Sequence, residues 1–510
     1  TNLGPLARAE IDLRPLTIFV GPSNTGKSYM AILIYAFLRS WENLSHFRSR
    51  RFDFGAVGNE DVIQFKEESV KVQELAKDLD RFLMFSDFPS LSQIGLRDMF
   101  RDRNFLGDIL VREIMRCFDI NTVGNLIRSL PGLETMKIAT SRKISGNSFW
   151  NFSLSTEGAK FKCDGDISDF VVFEPKERSR ARFLRQNQVM NLDEDSNEIS
   201  VYRQASFFEG IMKDILLNFG NVHYLPATRS GIMQAHRVIA SSLADRSSHA
   251  GFEPIQLPTL SGIIADFLRK LILYGERRGI PWGSRWGTPW RRSHKKLTRI
   301  AESMESEILS GEVKEDHSLS IGYPNFVYRP QGAEQNIGLA RSSSMVAELA
   351  PIILFLRGYV SPGDVLIIEE PEAHLHPEAQ TKLAAVLAEL IRNDVKVIIT
   401  THSEWLLQEI SNLMREGQLR GEASESEEAS SPVLRPGEVG AWLFRPGEGE
   451  IGSTVQKIEF DPIAGISPPD YEDVDLALYN RSAQLQDQLQ KRNHRPASDY
   501  KDNTQDKEKS

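Results

Sequence analysis

The sequence predicts an α/β fold with a mostly parallel sheet, an antiparallel β lobe and a large helical insertion. Three observations predict it. "LTIFV" (Leu16 to Val20) is a continuous β-prone apolar run, followed by a glycine-bearing loop and an apolar helix. "DVLIIEE" and "KVIITTHS" are two further runs of that kind, alternating with the helical stretches "VAELAPIILFLRGY" and "PEAQTKLAAVLAELIRN". Such alternation, with runs apolar enough to be covered on both faces, argues for a parallel sheet. Third, "MKIATSRKISGNSFWNFSLSTEGAKFKCDGD" alternates in polarity between Gly, Asn and Asp turns, the pattern of antiparallel hairpins.

The remaining elements follow in chain order. Residues 60–130 mix charge with apolar spacing and read as helical, and "NVHYLPATRSG" reads as a short strand and a turn. Residues 258–313 are helix-rich around a Gly/Pro/Trp segment, and "HSLSIGYPNFVYRP" returns to strands. "GEASESEEASSP" is a polar acidic loop, and the tail from Arg481 is rich in Gln, Asp and Lys. Both are expected to be disordered. The resulting organisation is a first head segment at 1–44, a helical insertion at 45–135 and a β-rich lobe at 136–235. A second helical insertion at 236–316 holds a Trp/Arg-rich segment. A second head segment at 317–480 contains the acidic loop at about 417–434, and a disordered tail covers 481–510.

Composition sets the limits. With 510 residues, 40% hydrophobic and 26% charged, the chain is an ordinary globular protein of two to four domains. A net charge of −9 argues against coating nucleic acid wholesale and leaves room for a local basic patch. Two cysteines, Cys117 and Cys163, exclude a disulfide scaffold and a thiolate zinc site, and point to a reducing, cytoplasmic setting. No apolar run is long enough for a membrane span; "MAILIYAFL" is better read as a buried helix. The chain begins at Thr1, and no signal peptide is expected.

The chemistry starts at Gly21 to Ser28, "GPSNTGKS", a match to G-x-x-x-x-G-K-[ST]. Gly21 and Gly26 let the backbone curl, so that the N–H groups of Gly21, Pro22's neighbours Ser23 and Asn24, Thr25, Gly26, Lys27 and Ser28 converge on one anion; proline lacks that donor. The next helix presents its positive end there. Lys27 suits the β and γ phosphates of a nucleotide, and the Ser28 hydroxyl suits Mg²⁺.

"LIIEEPEAHLHPEAQ" ends a greasy run on two adjacent glutamates, although like charges repel and carboxylates are costly to bury. Open α/β sheets bind ligands at the carboxyl ends of their strands. If this strand neighbours the phosphate-loop strand, Glu369 holds Mg²⁺ and Glu370 polarises the attacking water. "KVIITTHS" ends likewise in Thr401, His402 and Ser403: His402 is placed to hydrogen-bond a γ-phosphate, and Ser403 or Thr401 to cap the next helix.

The order "GPSNTGKS … SSSMVAEL … LIIEEPEAHLHP … TTHS" resembles the ABC-type AAA ATPases of the RecF/SMC and OLD (overcoming lysogenisation defect) group. The resemblance spans the first forty residues and roughly 320–415, with a weaker echo at "YLPATRSG". It implies a split ATPase head and ATP with Mg²⁺ sandwiched between two copies. Gly21, Gly26, Lys27 and Ser28 match the phosphate loop, Glu369 the Walker B acid, Glu370 the catalytic glutamate and His402 the switch histidine. Ser343 and Ser344 sit where the signature belongs, but "RSSSMVAEL" lacks the group's glycines, which a close backbone approach to phosphate normally wants. "AHLHPEA" falls at the D-loop, where His374 and His376 read as structural loop residues or as a metal pair. No Q-loop glutamine can be assigned. OLD nucleases carry a C-terminal nuclease domain; no acidic constellation of that kind follows His402 here, so a nuclease would come from a separate partner.

"GERRGIPWGSRWGTPWRRSHKKLTR" (Gly275 to Arg299) holds three tryptophans among many Arg and Lys residues. Arginine with aromatic surface suits DNA or RNA contact, and equally a protein interface. The expected function is a dimeric, Mg²⁺-dependent ATPase in DNA transactions or anti-phage defence. The rival is a slow, ATP-controlled scaffold that holds and releases a separate nuclease or toxin effector.

Overall fold

The computed structural model describes residues 1–46, 103–127, 135–145, 148–157, 160–168, 220–249, 260–274, 289–316, 324–420, 432–447 and 452–493. In chain order the strands are β1 (Leu6–Arg8), β2 (Leu16–Val20), β3 (Thr135–Ser145), β4 (Ser148–Glu157), β5 (Lys160–Ser168), β6 (Val222–Leu225), β7 (Gly311–Asp316), β8 (Asn325–Pro330), β9 (Ile337–Gly338), β10 (Val365–Glu369), β11 (Lys396–Thr401), β12 (Val439–Pro446) and β13 (Ser453–Ile458). The helices are α1 (Lys27–His46), α2 (Arg103–Phe118), α3 (Arg229–His249), α4 (Gly262–Ile272), α5 (Pro289–Ser303), α6 (Ser344–Gly358), α7 (Pro377–Arg392), α8 (Glu404–Arg420) and α9 (Pro469–Asn493).

The main sheet runs β1-β13-β12-β2-β11-β10-β6. β12, β2, β11, β10 and β6 are mutually parallel; β13 is antiparallel to β12 and carries β1 parallel to itself. The central strands are apolar on both faces because they feed two cores. Leu16, Ile18, Val20, Leu366, Ile368, Val397 and Ile399 enter one, with α4 to α8. Phe19, Val365, Ile367, Ile398, Trp442 and Phe444 enter the other, with α1 and α2. That two-sided burial is why these strands read as continuous apolar runs rather than alternating ones. β3-β4-β5 and β7-β8-β9 form two small antiparallel sheets. The fold is α/β, with parallel and antiparallel parts.

Five features differ from the sequence expectations. β10 does not neighbour β2: β11 lies between them, paired in register with both. β6, expected in the β lobe, is the edge strand of the main sheet. The segments expected as a helical insertion at 236–316 supply Phe267, Leu268, Leu271, Leu297, Ile300 and Met304 to the main core, so α4 and α5 are integral to the head. Finally, α9 continues through residues 481–493 of the expected disordered tail. From Leu476 onward that helix has no Gly or Pro and is rich in Leu, Ala, Gln and Arg, all strong helix formers. The expected acidic loop is shorter as well. α8 reaches Arg420, and Leu434 is buried with its N–H donated to the Leu413 carbonyl at 3.1 Å. Residues 421–431 and 494–510 lie outside the described residues, as do 275–288 of the Trp/Arg-rich segment.

Candidate functional site

The loop between β2 and α1 is built around its own lysine. Gly21 has φ +135° and Gly26 φ +98°, conformations that side chains other than hydrogen rarely adopt. A Cβ on Gly21 would lie 2.0 Å from the Phe444 carbonyl oxygen, so β12 closes that side of the loop. Asn24, at φ +65°, takes the tip. The Thr25 hydroxyl donates to the Pro22 carbonyl at 2.8 Å. Lys27 is buried, and its ammonium donates to the carbonyls of Gly21 (2.8 Å) and Pro22 (2.7 Å). Burial lowers the Lys27 pKa to about 8, against the opposing pull of Glu370 and Glu372. Pro22, Ser23, Asn24 and Ser28 are exposed.

The carboxyl end of β10 stands one strand away. Glu369 is buried, and its Oε2 accepts from the Ala227 N–H at 3.0 Å. Glu370 holds φ +43°, which for a non-glycine residue costs about 1–3 kcal/mol and persists only where neighbours fix it. Here its N–H donates to the Thr400 carbonyl at 2.9 Å, and its carbonyl accepts from Arg229 at 2.9 Å. Its side chain is half-buried, and Oε1 is 3.8 Å from His402 Nε2. Burial and the Lys27 charge lower the His402 pKa below its ordinary value, with Glu370 opposing. The inserted strand β11 therefore sets His402 between the lysine side and the glutamate side of one edge.

Two residues outside the sequence-derived set complete this edge. Arg229 is fully buried on the first turn of α3. Its Nε lies 3.1 Å from both the Glu348 carbonyl and Glu348 Oε2; its Nη1 donates to the Glu369 carbonyl at 2.5 Å. One guanidinium thus ties α6 to the backbone of both candidate carboxylates. Burial lowers the Arg229 pKa, and Glu348 is the first of four glutamates that oppose this. The only sequence signal was the polar "ATRS" after a short strand. The second residue is Glu372. It is buried, and its Oε1 accepts from the Thr401 hydroxyl (2.5 Å) and the His402 N–H (2.9 Å). Burial raises its pKa despite these bonds, and Oε2 has no hydrogen-bond partner among the described residues.

Other expected residues fall as follows. The Ser403 Oγ accepts from the Leu406 N–H at 3.0 Å, so Ser403 does cap α8 while His402 faces Glu370. Ser343 is the N-cap of α6, its Oγ 3.4 Å from the Val346 N–H, and Ser344 opens the helix; both are exposed. His376 caps α7, its Nδ1 accepting from the Glu378 N–H at 3.4 Å, which favours the structural reading of that loop. His374 sits at φ +60°. Among the described residues no group of three or more His, Cys, Asp or Glu could hold a metal. A cation at this edge would draw most of its ligands from phosphate and water, the habit of Mg²⁺. The ammonium of Lys27, the exposed Ser28 hydroxyl and the start of α1 form a donor set suited to a nucleotide phosphate.

Residues 284–407 match the family model described as AAA ATPase domain. No curated protein matches the chain. Among solved structures, the Smc head bound to the C-winged helix domain of ScpA is 10% identical with a TM-score of 0.41, covering 90% of this chain and 96% of that one. The SMC head domain from Thermotoga maritima is 9% identical with a TM-score of 0.35, covering 90% and 97%. The Smc head domain with an extended coiled coil from Pyrococcus furiosus is 8% identical with a TM-score of 0.37, covering 90% and 94%. Scores of this size do not bear on function.

Proposed function

We propose, from the premise that this chain is an AAA ATPase of the ABC type, that it binds and hydrolyses ATP with Mg²⁺ in a head-to-head dimer. The observation that carries this reading is the order β2-β11-β10, which brings Lys27, His402 and the Glu369–Glu370 pair to one edge of the sheet. A strand ending in solvated charge would have no need of a buried arginine gripping its last carbonyls or of a left-handed glutamate.

Each residue then has a task. Lys27 exchanges two loop carbonyls for phosphate oxygens. The exchange restores full charge to an ammonium that burial has weakened. Ser28 and Glu369 would hold the metal, which would supply charge neutralisation to the nucleotide phosphates. Glu370, half-buried and 3.8 Å from His402, orients water for in-line attack. His402, whose pKa burial and the Lys27 charge lower, hydrogen-bonds the terminal phosphate. Ser343 and Ser344, exposed at the start of α6, contact the nucleotide of the second copy. The setting we assign is cytoplasmic, in DNA transactions or antiviral defence, with DNA and a separate nuclease or toxin effector as partners. It rests on the resemblance in motif order and on the basic segment ending in α5, where Lys295, Lys296 and Arg299 are exposed.

Glu370→Gln tests the core of the proposal. It keeps the size of the side chain and removes the carboxylate charge. Turnover should fall on the order of 10²–10⁴ while ATP binding holds or tightens. Sizing chromatography with ATP and Mg²⁺ should then show a lasting dimer. Wild-type turnover in this variant would reassign the glutamates; a dead variant that never changes size would remove the ATP-dependent dimer.

A further inference from the structure

The first turn of α1 decides which way a bound nucleotide points. Its first hydrogen bond runs from the Met30 N–H to the Gly26 carbonyl at 3.0 Å. The N–H groups of Lys27, Ser28 and Tyr29 come before that bond and have no partner within the helix. They are donors for phosphate oxygens. The Lys27 ammonium serves the β and γ phosphates. Tyr29, last of the three, then stands towards the α-phosphate, where the ribose and base leave the loop.

What stands there is an aromatic ring. Tyr29 is 37% exposed, next to the exposed Ser28. Two neighbours hold the ring from below. Phe118, the last residue of α2, tilts against it with centroids 5.3 Å apart and 49° between the planes. Gly4 meets it with bare backbone. Gly4 has φ +50°, and a Cβ there would lie 2.5 Å from Tyr29 Cε1 and 2.7 Å from Cδ1. Glycine alone permits so close an approach. Gly4 is itself fixed, its N–H donated to the Leu126 carbonyl at 2.7 Å. The same segment continues beside the phosphate loop, since a Cβ on Gly26 would lie 2.8 Å from Leu6 Cδ2 and 3.0 Å from Pro5 Cγ. Residues 4–6 thus make one wall that runs from the loop to the ring. On the other side of the loop, β12 stands against Gly21.

We propose that Tyr29 is the platform on which the base of the nucleotide stacks, with Gly4 and Phe118 holding its ring in place. This role rests on the ATPase reading above and adds to it how the base is held. A ring already fixed by its neighbours loses little freedom on binding, so its stacking energy goes into affinity. Stacking needs only the flat face that every nucleobase has.

The test is calorimetry on the full chain with two probes, Mg-ATP and Mg-tripolyphosphate. The second carries three phosphates without sugar or base. Tyr29→Leu keeps an apolar side chain against Phe118 and Gly4 but has no ring. It should lower ATP affinity about 10- to 100-fold, the scale of one lost base stack, and leave tripolyphosphate affinity where it was. Tyr29→Phe, which keeps the ring, should recover the ATP affinity that leucine loses. Wild-type ATP affinity in Tyr29→Leu would overturn the proposal. So would an equal loss for both probes, because the ring would then only shape the phosphate loop. A Tyr29→Phe protein as weak as Tyr29→Leu would overturn it too, since the hydroxyl and not the ring would hold the nucleotide. Lys27→Ala separates this proposal from the reading beneath it, because it should weaken both probes. If Lys27→Ala weakens both and Tyr29→Leu weakens neither, the platform falls and the phosphate loop stands. If Lys27→Ala leaves both unchanged, the two fall together.

Discussion

The carboxyl edge of the sheet and the amino end of α6 both offer polar groups at a helix or strand terminus, yet they are held in opposite ways. At the edge, groups are fixed from several elements: Glu370 by Thr400 and Arg229, Glu372 by Thr401 and His402, Glu369 by Ala227. At α6, among the described residues, Ser343 bonds only to the backbone of its own first turn, and both serines face solvent. Arg229 joins the two regions through Glu348, one turn into α6. The difference separates what one chain can preorganise from what it can only present. Electrostatic stabilisation needs fixed dipoles, and the edge has them.

Arg229→Met should break the comparison outright. It removes the brace from the edge and leaves Glu348 buried and unpaired, a cost of about 3–5 kcal/mol. Denaturant unfolding measures it. Adding Glu348→Met should recover much of the loss, and a double variant as unstable as the single would refute the ion-pair explanation. Lys27→Ala should lower ATP affinity on the order of 10²–10³-fold, taking the loss of one preorganised donor as the scale. Calorimetry showing wild-type affinity would remove the phosphate-loop assignment.

A smaller effect comes from pH. In the free protein Lys27 loses its proton at about 8, and bound phosphate favours the charged form. Affinity for ATP should be flat below that pH and fall about tenfold per pH unit above it, with proton uptake on binding. Affinity that does not change up to pH 9 would contradict the buried ammonium. By the same depression, stability of the free protein rises as pH climbs from about 8 towards the unfolded value of 10.5, because there the unfolded state binds more protons. Smallest of all, Ser343→Ala should cost about 1 kcal/mol or less, since it removes one exposed and long cap bond. A loss well above 2 kcal/mol in thermal melts would show that the serine is held by more than its own helix.

Much of this site was legible locally. The run Leu16–Val20, the glycines at 21 and 26 and the helix after Lys27 announce one another, because strand, curl and helix lie within thirty residues. The two glutamates ending β10 and the cluster ending β11 were legible for the same reason. Strand order was not. Nothing within "VLIIEE" or "KVIITTHS" says which lies next to β2, and that order decides where His402 stands. The role of Arg229 was not legible, beyond the weak echo at "YLPATRSG", because its partners are remote in sequence and a lone arginine ordinarily reads as a solvated charge. The helical insertion was misread as separate from the head because apolar helical stripes show that a face is buried, not against what. The tail misled in the other direction, since a polar, Gln-rich composition describes both a disordered chain and an exposed helix.

The reach of Arg229 also bears on how the molecule comes into being. Its hydrogen bonds to Glu348 and Glu369 close chain separations of 119 and 140 residues. Loops of that size close late and slow folding. Until 344–358 and 365–370 have both docked on residue 229, Glu370 lacks one of the two clamps on its left-handed backbone, Thr400 being the other. The phosphate loop waits as well, because among the described residues its strand β2 pairs only with β11 and β12, and Phe444 closes the loop beside Gly21. Both halves of the site therefore form only with contacts from the last third of the chain.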